Sequence, residues 1–227
     1  MKRDEATGIW LPDEEKHYLE RTRHGRRFLD DYQHDRIDFA ARFCRRKRRA
    51  LDIGANIGLL AMRMAREFEA VECFEPEPHA FECLQRNVSG LPVRCHAKAV
   101  GDRTGPCGVP KQDASGFTRG QVDPFGGDGE MVRIDDFGFT DVDLVKIDVQ
   151  GYEPFVVKGA AETLMRCKPV VVVEVEDDAM LPVKFEEDAH AAVRWLRKRG
   201  WECRRVMSVD WIMVHADHEA DDPGAVA

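Results

Sequence analysis

From Ala50 onward, short runs of β-branched residues alternate with stretches whose apolar residues recur every third and fourth position. That alternation is the pattern of βαβ units, and it restricts the chain to a mostly parallel sheet with helices on both faces. ALDI (Ala50 to Ile53) reads as the first strand, followed by one helical stripe of Ile57, Leu60, Ala61, Met64, Ala65 and Phe68. AVECFE (Ala70 to Glu75) is the second strand, His79 to Asn87 a helix, and VRCHAKAV (Val93 to Val100) the third strand. Gly101 to Gly129 is rich in Gly, Pro, Asp and Ser and lacks a helical period, so it reads as an irregular insertion or hairpin on the sheet's rim. A fourth strand is placed at Leu144 to Val149, then a helix from Pro154 to Arg166, with the proline suited to a first turn. VVVVEV (Val170 to Val175) is continuously apolar, which implies cover on both faces. Ala189, Ala192, Val193 and Leu196 mark a last helix closed by Gly200, and Glu202 to Val206 with Asp210 to His215 read as a closing hairpin at the sheet edge.

A chain of 227 residues that is 43% hydrophobic can bury one sizeable core, so residues 50–215 are read as one domain. Residues 1–49 are expected to form a helical extension, with GIWLPDEEKHYLERT a turn and a helix, and 216–227 a disordered acidic tail. No stretch approaches the roughly 20 apolar residues of a membrane span, and MKRDEATGIW lacks a secretory apolar segment, so the expected location is the cytosol. The seven cysteines include no C-x-x-C pair and read as reduced core fillers rather than a disulfide framework or a zinc site.

Charge is uneven. The first 50 residues carry 14 Lys and Arg against 10 Asp and Glu, net +4, which leaves the remainder at −12 of the total −8. A general nucleic-acid binder leans basic over its whole face, and this chain does not. The run RRKRR (Arg45 to Arg49) is read as a solvated helix terminus facing its dipole.

In a doubly wound sheet, ligands bind beyond the carboxyl ends of the strands, where strand order reverses. The residues there are DIGANIG (Asp52 to Gly58), EPEP (Glu75 to Pro78), Lys98 to Asp102, Asp148 to Glu153, and Glu174 to Asp177. Gly54 and Gly58 let backbone approach a ligand and let the helix pack on the strand. Their G-x-x-x-G spacing is neither a dinucleotide fingerprint nor a P-loop, so a nucleoside without phosphates is the better fit. Glu75 follows Gly54 by 21 residues, close to the roughly 20-residue offset at which an acid receives ribose hydroxyls. Asp52, inside an apolar strand, suits a cationic group or a backbone turn; the competing reading makes both acids helix caps.

Taken together, LDIGANIGLLAMRMA, VECFEPEPHAFECLQRNV, AVGDRTG, VRIDDF, VKIDVQGYEPFVVKGA and PVVVVEVE resemble the FkbM-type family of S-adenosylmethionine-dependent methyltransferases from Ala50 to Glu176. The resemblance implies a Rossmann-like class I methyltransferase fold of seven strands with the last antiparallel. It implies that Asp52, Gly54, Ala55, Asn56 and Gly58 cradle the methionine part of S-adenosylmethionine, that Glu75 takes the ribose hydroxyls beside Pro76, and that Lys98, Ala99 and Val100 border the adenine. The family tends to place an additional strand pair at its N-terminal side, which this sequence does not show.

Methyl transfer from a sulfonium is an in-line displacement, so the enzyme must hold the nucleophile near the methyl and dispose of a proton. Asp148 is the first candidate to orient or deprotonate an acceptor hydroxyl, and Glu153 the second. Glu174, ending the neighbouring strand, could converge with Asp148 to share a proton or hold a divalent cation, and the metal is the less favoured of these. Lys16 and His17 could close over the cofactor or be ordinary exposed helix residues. The expected activity is O-methylation of a sugar, glycan or small metabolite. The alternatives are a nucleic-acid 2'-O-methyltransferase and a non-catalytic nucleoside-binding module. A nucleic-acid or membrane partner is not expected, and oligomeric state is left open.

Overall fold

The computed structural model describes residues 1–13, 34–109, 122–175 and 190–221. In chain order the strands are β1 (Lys2–Arg3), β2 (Trp10–Leu11), β3 (Arg49–Ile53), β4 (Ala70–Phe74), β5 (Val93–His96), β6 (Ala99–Val100), β7 (Gly105–Cys107), β8 (Gly129–Val132), β9 (Val142–Ile147), β10 (Val170–Glu174), β11 (Trp201–Met207) and β12 (Asp210–His215). The helices are α1 (His34–Ala41), α2 (Leu59–Met64), α3 (Pro78–Asn87), α4 (Glu153–Gly159), α5 (Ala161–Cys167) and α6 (Ala191–Arg197).

Among the described residues, seven strands form the main sheet in the order β11-β12-β10-β9-β3-β4-β5. All neighbours run parallel except β12, which is antiparallel to both β10 and β11. This is the class I methyltransferase arrangement. The chain builds outward from β3 through β4 to β5, then crosses back to lay β9 on the other side of β3. Strand order therefore reverses between β3 and β9, which is where a doubly wound sheet opens its ligand crevice. The closing hairpin inserts β12 rather than β11 beside β10, so β11 is the edge.

Side-chain parity sorts the core into two layers. Leu51, Ile53, Val171 and Val173 face a cluster that includes Val156 and Val157 of α4, Leu164 of α5, and Ala192, Val193 and Leu196 of α6. Ala50, Val170 and Val172 face the opposite way, onto Ile37 and Ala40 of α1, Ala61 and Met64 of α2, and Leu84 of α3. The apolar run at β10 is covered on both faces, as its composition requires; each fully buried Val contributes on the order of 1.5–3 kcal/mol.

Several expectations are corrected. The third strand breaks at Ala97 and Lys98, and Ala99–Val100 leaves the main sheet to pair with β8 in a three-stranded sheet; in that sheet β7 and β8 pair antiparallel, which agrees with the hairpin alternative for the stretch after Gly101 and not with the irregular one. The helix from Pro154 is two helices, broken at Ala160. RRKRR is no helix terminus: α1 ends at Ala41, and the run is a loop whose last residue, Arg49, opens β3. Arg48 grips Asp143 with two nitrogens at 3.0 and 2.6 Å, Arg49 holds Asp141 and Glu72, and Lys47 pairs with Glu67, so three of the five cations answer neighbouring acids. The extension 1–49 is helical at α1, but β1 and β2 form a short antiparallel pair, the feature that the sequence did not show. Asn87 of α3 binds the Trp10 amide and carbonyl and the Ile57 carbonyl, fixing that pair over the turn after β3. The helix expected from Asp13 to Thr22 lies outside the described residues apart from Asp13. The tail opens as a 3-10 helix, Ala216–Asp221, tied down by Asp217 on Lys168 and by His218 on the Lys168 carbonyl, where disorder was expected.

All seven cysteines are unpaired. No helix among the described residues is long and apolar enough to cross a membrane.

Gly159 closes α4 against backbone: a Cβ there would lie 1.8 Å from the Gly101 carbonyl oxygen. Helix propensity alone favours Gly159→Ala by up to about 1 kcal/mol. The expected outcome is the reverse, a loss of about 1–3 kcal/mol in urea unfolding, because the backbone must move apart. A stabilised variant would contradict this packing.

Candidate functional site

Beyond the carboxyl ends of β3 and β9, the site begins with a backbone contact. Gly54 sits at φ +80°, and a Cβ on it would lie 1.8 Å from the carbonyl oxygen of Asp148. Gly58, at φ +88°, would place a Cβ 2.6 Å from Leu84 of α3. Both glycines thus serve close packing within the protein, where ligand approach was the expected reason for Gly54. The Asp148 amide donates to the Ile53 carbonyl at 3.1 Å, so the two strand-end loops are joined as well as touching.

Glu75, just past β4, is buried, and its carboxylate organises the turn. Oε2 accepts from the Asn56 amide at 2.8 Å, and Oε1 accepts from the Glu77 amide at 2.9 Å. Asn56 takes φ +50°, a left-handed conformation that Asn tolerates better than most residues. Glu75 does not cap a helix; Glu77 does, accepting from the Ala80 amide at the start of α3. Burial pushes the Glu75 carboxyl up to about 7 against those two amide bonds. Pro76 beside it is half-buried.

Asp52, Lys146, Asp148, Glu174 and Asp210 lie along the carboxyl edge on the α1 side of the sheet, by the same parity that sorts the core. Asp52 is fully buried, and neither of its oxygens has a well-formed hydrogen bond among the described residues. Its facing cation is Lys146 of β9, with Nζ at 3.5 Å. The same ammonium lies 3.2 Å from Asp148 Oδ2 and donates to the Gly54 carbonyl at 2.9 Å. Burial opposes ionisation of Asp148, but the Lys146 ammonium and the hydrogen bonds that Lys146 and Gln150 donate outweigh it and hold the carboxyl below its ordinary value.

Gln150, at φ +57°, donates its amide to Asp148 Oδ1 and to Glu174 Oε2, each at 3.2 Å. The expected convergence of Asp148 and Glu174 is therefore present, bridged by an amide. At the end of the row, Asp210 pairs with Arg36 of α1, and burial pushes its carboxyl up to about 6. Among the described residues, no group of three His, Cys, Asp or Glu is placed to hold a metal ion.

Glu153 has a different place from the one expected. It is buried, and its Oε1 accepts from the amides of Val149 and Gly151 at 3.0 and 3.1 Å, clamping the loop that carries Asp148. Burial pushes it up to about 7. Of the adenine trio, Ala99 and Val100 point into the small sheet and the main core, and Lys98 pairs with Glu130 at 2.6 Å. Ala55 is buried in the core against α2. Lys16 and His17 lie outside the described residues.

Sequence reasoning missed Lys146, Gln150, Asp210 and Arg36. A lysine between Val145 and Ile147 in a buried strand was a signal for the first, since buried lysines are almost always paired. The other three are assembled by topology.

A family model described as the methyltransferase FkbM domain matches residues 52–203. The 2-O-methyltransferase NoeI of Sinorhizobium fredii (strain NBRC 101917 / NGR234) is 33% identical over 144 residues, covering 52% of this chain and 59% of that protein, so the match spans less than two thirds of the relative's length. Among solved structures, the methyltransferase FkbM from Methylobacillus flagellatus KT overlaps 74% of this chain and 43% of its own at a TM-score of 0.49 and 16% identity. Magnesium protoporphyrin IX methyltransferase from Synechocystis PCC 6803, with bound SAM, overlaps 82% and 79% at a TM-score of 0.48 and 9% identity. The fold rests on the strand order itself.

Glu75 and Glu153 at about 7 and Asp210 at about 6 are all raised above their unfolded values, so the folded protein binds more protons than the unfolded chain between about pH 4.5 and 7. Stability of the ligand-free protein should therefore fall as pH rises from 5 to 7.5, and Glu153→Gln, which keeps an acceptor for both amides, should flatten part of that fall. A urea midpoint that rises over this interval, or a Glu153→Gln slope equal to wild type, would contradict the site's electrostatics.

Proposed function

Because this chain belongs to the FkbM methyltransferase family, we propose that it transfers the methyl group of S-adenosylmethionine to a hydroxyl of a sugar, glycan or other small metabolite. The observation that carries the reading is the contact between the Gly54 turn and the Asp148 loop. It brings the turn after β3 and an ionised acid together at the switch point, which supports a nucleoside site there. The 2-O-methyltransferase relative supports oxygen as the nucleophile.

When bound, S-adenosylmethionine supplies a methyl group on a positively charged sulfur. The residues present suit such a ligand. Each Glu75 oxygen accepts one backbone amide and has a further lone pair for a ribose hydroxyl. Asp52, buried and lacking well-formed hydrogen bonds, suits the amino group of the methionine part, directly or through water. Asp148, held ionised by Lys146, accepts a hydrogen bond from the acceptor hydroxyl and orients its oxygen. As the new O–C bond forms and the S–C bond breaks, the hydroxyl proton passes to Asp148 and then to water. Gln150 and Glu174 keep Asp148 from turning away.

Acceptor hydroxyls are neutral and donate well to the carboxylates of this row, whereas a phosphate backbone would be repelled by them. With three of the RRKRR cations engaged by acids, no observation favours a nucleic-acid acceptor.

Two outcomes test the reading. Ribose hydroxyls need the Glu75 carboxylate, so affinity for S-adenosylhomocysteine in calorimetry should rise from pH 5 to 7.5 with release of a proton, and should weaken in Glu75→Gln. In a labelled-methyl assay over hydroxylated acceptors, Asp148→Asn should lose about 10²–10⁴-fold in kcat with cofactor affinity retained. A wild-type protein that binds the nucleoside but never transfers would instead mark a non-catalytic module, and an unimpaired Asp148→Asn would remove Asp148 from the mechanism.

A further inference from the structure

The lysine in VKIDVQGYE stands apart from the acids that the mechanism uses, yet its position is the more constrained one. Its side chain is only 5% exposed, in a strand whose neighbours Val145 and Ile147 are core residues. A buried ammonium has three N–H donors and must spend all three. Here three acceptors surround it: the Gly54 carbonyl at 2.9 Å, Asp148 Oδ2 at 3.2 Å and Asp52 Oδ1 at 3.5 Å. One acceptor belongs to the turn after β3, one to the strand beneath it, and one to the acid beyond β9.

Resting on the methyltransferase reading, we propose that Lys146 is a positioning residue that couples the two halves of the site, holding the Asp148 carboxylate against the Gly54 carbonyl so that acceptor and donor are aligned across the crevice. Asp52 lies on β3 and Asp148 just beyond the neighbouring β9, and without a cation between them a buried carboxylate and a half-buried one would repel. Burial works against the ammonium, but Asp148, Asp52 and Glu174 more than offset it and raise its pKa, so Lys146 serves as a fixed cation and not as a base. Arginine could keep the charge, but its planar fork does not supply three donors to a point between three strand-end oxygens.

The groups facing this centre from every packed element are Asp52 on β3, Cys73 on β4 and Glu75 beyond it, Asp148 and Glu153 after β9, Glu174 on β10, and Asp210 on β12 with Arg36 of α1. Removing Lys146 takes away the cation that Asp52 and Asp148 share, while Asp210 keeps its pair with Arg36 at the far end. Asp148, the acid with the closest approach to Nζ, should respond most.

The test reads the Asp148 carboxyl directly by carbon NMR titration of the ligand-free protein, with S-adenosylhomocysteine affinity measured alongside. Lys146→Met retains side-chain length without charge, and the Asp52→Asn/Lys146→Met double variant keeps net charge constant should the single variant fail to fold. In either variant the Asp148 titration should rise by about one unit or more, roughly a tenfold change in proton affinity. S-adenosylhomocysteine should also bind less tightly as the Gly54 turn loosens. Asp52→Asn alone, which removes a like charge, should not move Asp148 upward. A folded double variant whose Asp148 titrates as in wild type would overturn the proposal. Failure of the wild-type protein to bind S-adenosylhomocysteine would instead sink the methyltransferase reading, and the carboxyl titration would still decide what Lys146 does to Asp148.

Discussion

The approach of two backbones, the α-carbon of Gly54 to the carbonyl of Asp148, is the constraint from which the site is built. A side chain on residue 54 would stand 1.8 Å from that oxygen, so only glycine lets the loop after β9 lie on the turn after β3. Strand order makes the contact possible, because β3 and β9 are the neighbours between which the chain changes direction. Without it, the Glu75 turn and the Asp148 loop would be two separate strand ends.

Electrostatics completes what sterics begins. Five acids and one lysine share the carboxyl edge from Glu75 to Asp210, with Arg36 closing the far end. Such a row would not stay folded as uniformly ionised carboxylates. The structure divides it instead: Asp148, beside the ammonium, is held ionised, whereas Glu75 and Asp210 are pushed up by burial. The acid closest to Lys146 thereby keeps its charge, whereas the buried acid at the turn is drawn toward its neutral form. Glu153, turned onto its own loop, uses one acceptor oxygen to fix the backbone that carries Asp148.

Much of this was legible in the residues. The βαβ alternation and the unbroken apolar run at Val170 to Val173 dictate a covered parallel sheet, and the rule that sites follow strand ends singles out Asp52, Glu75, Asp148 and Glu174. The failures have physical causes. VRCHAKAV keeps its strand-like pattern through Ala97 and Lys98, so nothing local marks where Ala99 leaves for the second sheet. The break at Ala160 is silent because Gly159 and Ala160 fit a continuous helix, and only the Gly101 backbone beside them forces the change. Asp210 and Arg36 come together from opposite ends of the chain, by way of a strand inserted beside β10, and no spacing rule reaches that far. Glu153 misled because a carboxylate close in sequence to another strand-end acid can face either solvent or its own amides, and here it faces the amides of Val149 and Gly151.

The seat of a bound nucleoside decides whether the Glu75 turn and the Asp148 loop work as one site. A crystal structure with S-adenosylhomocysteine should show both ribose hydroxyls on the Glu75 carboxylate and the thioether sulfur opening toward Asp148. Adenosine bound anywhere else, or a Glu75 carboxylate still facing only Asn56 and Glu77 with the ligand present, would contradict it.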